Sequence, residues 1–290
     1  MRFTPQGGTS VFFQGQAGLG LTTALGVLKS GFVIVGNVPT TDGTSATVMP
    51  GSLLVLDMNG NVVETLSDNQ LLDGPWDLAV NDHGSSAQLF VSNVLSGTVT
   101  RIDLSIPATG KPVVESLTRI ASGYLHRTDP NALVIGPTGL AFDAKRDILY
   151  VASTGDNAIF AIHHAARTHH DHGLGELITN DKKHLHGPLG LVLAPNGDLI
   201  VANGDAVNTD PKNLNTLVEF TRSGKFVGQF QLDNGGGGAA FGIAMSEVNG
   251  EIRFAAVDDN TNTLDVWTFA VEVAHHRHHG DGSDEDGHDD

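Results

Sequence analysis

Apolar residues in this chain fall in short runs separated by Gly, Asp and Asn. The stretch from Gly136 to Ile162, GPTGLAFDAKRDILYVASTGDNAIFAI, shows the pattern in full. A Gly-Pro turn leads into Leu140-Ala141-Phe142, and a polar turn around Lys145-Arg146-Asp147 leads into Ile148 to Ala152. Ser153 to Asn157 then lead into Ala158 to Ile162. Runs this short, rich in β-branched and aromatic residues and closed by turn formers, predict an antiparallel meander. One such sheet cannot bury both of its faces alone, so the unit should recur.

It recurs at Gly187 (GPLGLVLAPNGDLIVANGD) and at Gly74 (GPWDLAVNDHGSSAQLFVSN), more weakly at Ala239, and most weakly at Leu21. Starts near 21, 74, 136, 187 and 239 give a period in the low fifties with one longer step. Self-similarity at such a period, with three or four strands per repeat, predicts a β-propeller. The pattern GPxGLAxxxxGxLYVAxxxxNxI resembles the NHL and related six-bladed propeller families over nearly the whole chain. The resemblance implies the fold; this scaffold hosts lactonases, lyases and plain binding modules alike.

The expected fold class is therefore all-β, a propeller of four-stranded antiparallel blades with five blades visible. Arg2 to Gly8 parallels Glu219 to Gly224, and Ser10 to Phe13 parallels Phe226 to Phe230, so the chain opens at the end of a third strand. The last repeat supplies three strands (Phe241–Met245, Ile252–Val257, Thr263–Phe269) and no fourth. Thr9 to Gln14 is expected to fill that place and close a five-bladed ring, which would cover an exposed sheet edge. A six-bladed relative with one blade absent from this chain is the alternative. Asn59-Gly60, Asn196-Gly197 and Asn249-Gly250 are predicted hairpin turns, because Gly and Asn tolerate positive φ. The propeller is assigned to residues 1–273, and residues 274–290 to a disordered His/Asp-rich tail.

Charge narrows the partners. The 290 residues carry a formal net charge of −17, which argues against nucleic acid, since phosphate contacts need clustered Lys and Arg. No apolar run is long enough to span a bilayer. There is no cysteine, so disulfide and thiol chemistry are excluded. A chain lacking a blade would expose sheet edges and could self-associate to cover them.

Histidine is the first candidate chemistry. Twelve of the 14 histidines lie in two clusters. One, after the third strand of the blade beginning at Gly136, includes His163, His164, His169, His170 and His172. The other, in the tail, comprises His275, His276, His278, His279 and His288 among acidic residues. Imidazole with carboxylate suits zinc, copper or nickel. The spacing is that of a flexible tract, and the competing reading is a solvated segment with adventitious metal affinity.

The second candidate is the ring of polar residues where the second strands end: Asn93, Ser153, Asn203, Asp258 and Asp259. At one height around a central channel they could hold calcium or a polar ligand; alternatively they only build the turn into the third strand. Gluconolactonase-like propellers, which the repeat also resembles, hold a divalent metal in the channel with an Asn in a PNGL-type motif. The matching positions here read Pro75-Trp76-Asp77-Leu78, Pro137-Thr138-Gly139-Leu140 and Pro188-Leu189-Gly190-Leu191, and none carries that Asn. The run Asn234 to Gly238 lacks the Lys of a phosphate loop and reads as an interblade connector. The expectation is a non-catalytic binding or scaffold protein for a protein or small-molecule ligand, acting in the periplasm or outside the cell. The rival is a metal-dependent hydrolase or lyase of lactonase type with a divalent ion in the channel.

Overall fold

A computed structural model describes residues 1–4, 7–248 and 250–270. A two-stranded hairpin of β1 (Arg2–Phe3) and β2 (Thr9–Ser10) comes first. Blade one is β3 (Leu21–Val27), β4 (Val33–Val38), β5 (Ser52–Leu56) and β6 (Val62–Leu66). Blade two is β7 (Pro75–Asp82), β8 (Ser86–Asn93), β9 (Thr98–Ser105) and β10 (Val113–Ser122). A small hairpin, β11 (Arg127–Asp129) and β12 (Leu133–Ile135), precedes blade three: β13 (Pro137–Asp143), β14 (Ile148–Ser153), β15 (Ala158–His163) and β16 (Glu176–Thr179). Blade four is β17 (Pro188–Leu193), β18 (Leu199–Asn203), β19 (Thr216–Phe220) and β20 (Phe226–Gln231). Blade five has three strands, β21 (Ala240–Val248), β22 (Glu251–Asp258) and β23 (Thr263–Ala270). Every neighbouring pair within a blade is antiparallel. The chain thus forms five mostly four-stranded blades arranged as a propeller, as the repeat predicts.

The repeated motif has a structural reason. In all five blades the first strand carries a register shift at the same place: Thr22/Leu25, Pro75/Leu78, Pro137/Leu140, Pro188/Leu191 and Ala240/Ile243. The bulge bends each innermost strand. The innermost strands β3, β7, β13, β17 and β21 meet one another in that order, and small residues let them approach. A Cβ on Gly139 would lie 2.5 Å from Leu189 O and 2.6 Å from Leu191 N. Between blades, buried apolar side chains form one core per interface, from Leu53, Leu78 and Leu89 at blades one and two to Leu217, Phe254 and Ala256 at blades four and five.

The Asn of the NxI signature has two tasks. Asn157, Asn215 and Asn262 each precede a third strand with φ between +50° and +54°, which Asn tolerates better than most residues. Asn157 and Asn215 also reach forward. The N–H of Gly187 donates to Asn157 Oδ1 at 2.8 Å, and that of Ala239 to Asn215 Oδ1 at 2.9 Å. Each clamps the start of the next blade.

The expected pairing of Thr9 to Gln14 with the last blade is not among the hydrogen-bonded ladders. Thr9–Ser10 pair with Arg2–Phe3, and β23 has only β22 as partner among the described residues. The predicted turns at Gly60, Gly197 and Gly250 all have positive φ; Asn249 and the tail from 271 onward lie outside the described residues. No helix is long and apolar enough to cross a membrane among those described.

Candidate functional site: an axial cleft with an unpartnered carboxylate

First strands begin and second strands end on one face of the ring, and there a cleft of roughly 880 Å³ opens. Loops build most of it: Gly43–Ser45 of blade one, the β11–β12 hairpin, the segment from Gly204 to Leu214 of blade four, and Gly237–Gly238. One wall is apolar, with Trp76, Leu189 and Phe241; the rings of Trp76 and Phe241 lie 6.2 Å apart at 53°. Opposite chemistry comes from Asp205, Thr209, Thr154 and Asp129, the last engaged by Arg127 at 3.2 Å.

Asp205 is the notable group. It lies two residues beyond the end of β18 and adopts φ +55°, a left-handed conformation that Asp visits more readily than most residues. Its Oδ2 accepts the N–H of Asn215 at 2.8 Å and that of Gly238 at 3.3 Å. Its Oδ1 is buried and has no hydrogen-bond partner among the described residues, although the residue is only 8 % exposed. Burial raises the proton affinity of the carboxyl above the ordinary range, against the pull of the two N–H donors and of His186. A buried acceptor without a partner is costly, so its persistence points to a ligand, ordered water or chemistry.

His186 stands beside it, joined through the backbone: Asp205 N–H donates to His186 O at 2.7 Å. The imidazole is 3 % exposed, with Nδ1 2.6 Å from Asn208 O. Facing a carbonyl, Nδ1 must carry the hydrogen and donate, which leaves Nε2 as the acceptor in the neutral ring. Nε2 likewise has no partner among the described residues. Two buried residues joined through the backbone thus each keep one polar side-chain atom without a partner among the described residues.

A second carboxylate stands in the bulge of blade two. Asp77 occupies the bulge position that is Ala24, Gly139, Gly190 and Gly242 in the other blades. Its two oxygens accept Leu78 N–H and Leu140 N–H, both at 2.8 Å. Burial outweighs those donors and pushes the carboxyl up to about 7.

The sequence-predicted ring lies elsewhere. Asn93 and Asn203 are fully buried and spend their amides inside their own blades. Asn93 Oδ1 accepts Asp73 N–H, while its Nδ2 donates to Thr98 and Thr100. Asn203 Oδ1 accepts His186 N–H at 2.9 Å, and its Nδ2 donates to His184 O and Thr216 Oγ1. Asn37 does the same for Gly20 in blade one. Ser153 donates to Asp156, and Asp258 accepts from Asn260 and Thr261, both turn contacts. Asp259 is exposed, its pKa raised by partial burial and by neighbouring Asp258. None of the five is among the residues lining the cleft.

The blade-three histidines are spread along an exposed connection. His163 Nε2 is 2.7 Å from Glu176, His164 meets Arg167, and His172 meets Thr168; His169 and His170 are exposed. Among the described residues no three His, Asp or Glu side chains gather closely enough to hold a metal ion. His275, His276, His278, His279 and His288 lie outside those residues.

Sequence reading passed over Asp205, His186, Trp76 and Phe241 as a group. One signal was present: blade four connects its second and third strands through Gly204 to Asn215, where Thr154–Asn157 suffices in blade three. Long loops on a rigid scaffold carry function.

No protein-family model matches the chain, and no curated protein matches it. Solved structures do. The chain is 16% identical to Kuenenia stuttgartiensis hydrazine synthase, with 88% of this chain and 61% of that one covered and a TM-score of 0.50. A gluconolactonase from Xanthomonas campestris is 16% identical, over 81% of this chain and 69% of that one, at a TM-score of 0.47. A functionally unknown protein from Desulfotomaculum acetoxidans is 12% identical over 87% and 71%, at 0.49. At such identities the likeness concerns the fold alone. The repeated blades and their pairing make this chain a β-propeller of five described blades.

Proposed function

We propose that the axial cleft binds a small polar substrate and that the chain is a hydrolase of the lactone or ester type acting there. The observation that carries the reading is Asp205, a residue of the cleft wall whose buried Oδ1 has no partner among the described residues. A carboxylate whose pKa is raised by burial is a stronger proton acceptor than an ordinary one. Water attacks the carbonyl carbon while Asp205 Oδ1 takes its proton; the ring or ester C–O bond then breaks, and the same proton returns to the leaving oxygen. Trp76, Leu189 and Phe241 hold the apolar face of the substrate; Thr209 and Thr154 donate their hydroxyl protons to Asp205 O and Pro188 O, so towards its polar face their oxygens act as acceptors. Among the described residues no three His, Asp or Glu side chains gather around the cleft as a metal-binding set.

The test is a panel of lactones and esters assayed between pH 5 and 9 with the native chain and Asp205→Asn. Hydrolysis by the native chain with a loss of about 10²-fold or more in kcat for the variant supports the reading. Saturable binding of panel members without turnover in either protein would show a binding protein instead.

A further inference from the structure

Among the described residues, the faces of blades five and one that look towards each other share no apolar core like those at the other four interfaces. On blade one, Ala24 and Gly26 face blade two, whereas Leu25 and Val27 on the opposite side of β3 are each 63% exposed. On blade five, Val266 is 55% exposed. Leu264, Val266, Thr268 and Arg253 form one wall of a cleft of roughly 540 Å³ whose other wall is the β1–β2 hairpin.

That hairpin has the geometry of the outer half of a blade. Thr4 N–H donates to Gly8 O, Gly7 N–H to Thr4 O and Gly8 N–H to Thr4 Oγ1, at 2.8, 2.9 and 2.9 Å. The turn between third and fourth strands of blade four repeats these bonds with Thr221, Gly224 and Lys225, at 2.8, 2.8 and 3.1 Å. Blade one repeats them with Asp57, Gly60 and Asn61. Gly7, Gly60 and Gly224 share φ values of +81°, +84° and +81°.

The packing agrees. A Cβ on Gly224 would clash with Ile178 O in β16, the fourth strand of the preceding blade, and a Cβ on Gly60 would clash with Phe12 O in the same way. Phe12 and Phe13 cover Leu54, Leu56 and Val35 on the outer part of blade one, while Leu25 and Val27 on its innermost strand stay open. Asn262 completes the pattern: its counterparts Asn157 and Asn215 clamp the start of the next blade, yet Asn262 lines this cleft with no side-chain partner among the described residues.

We propose that the wedge between blades five and one receives an inner β-hairpin of the same repeat, joined ahead of Arg2. Its second strand pairs with the free edge of β1, completing a sixth blade. Its first strand packs against Leu25 and Val27, and Asn262 caps its start. The chemistry of the occupant is that of β13–β14 or β17–β18: a bulged first strand with a small residue at the bulge, then an apolar second strand.

The experiment joins a copy of residues 137–157 directly ahead of Arg2 in the full chain and compares it with the native chain and with a scrambled extension. The expected result is a rise in Tm of about 5 °C or more and slowing of amide exchange at Arg2 or Phe3 by about tenfold or more, neither seen with the scrambled segment. Leu25→Lys, on an exposed position, should leave the Tm of the native chain nearly unchanged while removing the gain from the extended one. Equal Tm and exchange in all three chains would overturn the proposal. So would a native chain that is dimeric at micromolar concentration with Leu25 and Val266 protected in the dimer, since a second copy would then be the occupant.

Discussion

The carboxylate of Asp77 accepts the backbone N–H of Leu140 in the next blade at 2.8 Å. At every other blade the equivalent position is Gly or Ala; the bulge residues Thr23 and Thr138 cross their interblade boundaries with hydroxyls, to Pro75 O and Pro188 O, and Asp77 does so with a carboxylate. Its folded-state pKa, raised to about 7 from 3.8, is set chiefly by burial. The folded chain therefore keeps a proton that the unfolded chain releases between pH 4 and 7. Stability from this group is greatest below about pH 4, falls as pH rises through that window, and is flat above about 7. Asp77→Asn should flatten the slope of unfolding free energy across pH 4–7 by up to about 1.4 kcal/mol per pH unit, measured by denaturant titration at several pH values. An unchanged slope would show that Asp77 stays ionised throughout.

Gly139→Ala places a methyl group against Leu189 O and Leu191 N, both main-chain atoms of the next blade. Neither can swing aside as a side chain would. The substitution should cost about 2 kcal/mol or more and lower Tm, read by calorimetry, whereas Gly84→Ala, open in space but at φ +87°, should cost only about 1 kcal/mol of backbone strain.

Asn203→Ala leaves His186 N–H without its acceptor and Thr216 Oγ1 without its donor, all within buried surroundings. Each buried group left unpaired costs about 1–3 kcal/mol. The variant should be destabilised by several kcal/mol in chemical denaturation, and the His186 imidazole proton in NMR should shift as its backbone loses its anchor.

Trp76→Ala removes one side of the apolar wall facing the cleft while leaving Asp205 in place. Trp76 is mostly covered and packs on Phe241, so Tm should fall, and binding is compared at a temperature where the variant is folded. Affinity for a cleft ligand found in the lactone and ester panel should fall about tenfold, or about 1.4 kcal/mol, by calorimetric titration. An equal affinity would place the ligand elsewhere.

Much of the architecture could be read from residue order because propeller strands obey local rules. Ile148 to Ala152 and Ala158 to Ile162 were legible as strands, and the structure extends them only to Ser153 and His163. The glycines of Asn-Gly turns were legible because positive φ has few suitable residues. The second-strand Asn residues were legible as special, but not as the means by which Asn93 and Asn203 fasten the segment leading into their own blade. That contact joins positions 20 and 17 residues apart, and amide orientation has no sequence signature. Asp205 escaped notice because a single Asp after a strand looks like any turn residue.

The amino-acid order by itself determined the repeat, the antiparallel meander within each blade and the kinship of the N-terminal hairpin with the outer hairpins of other blades. These depend on alternation, turn chemistry and spacing, which act over a few residues. Tertiary structure alone decided that Asp205 Oδ1 and His186 Nε2 find no partner among the described residues, that Trp76 and Phe241 face one cleft, and that Leu25 and Val266 remain open between blades five and one. Whether a polar atom finds a partner, or an apolar face a cover, depends on which blades become neighbours around the ring, and that is a property of the assembled blades rather than of any one stretch of chain.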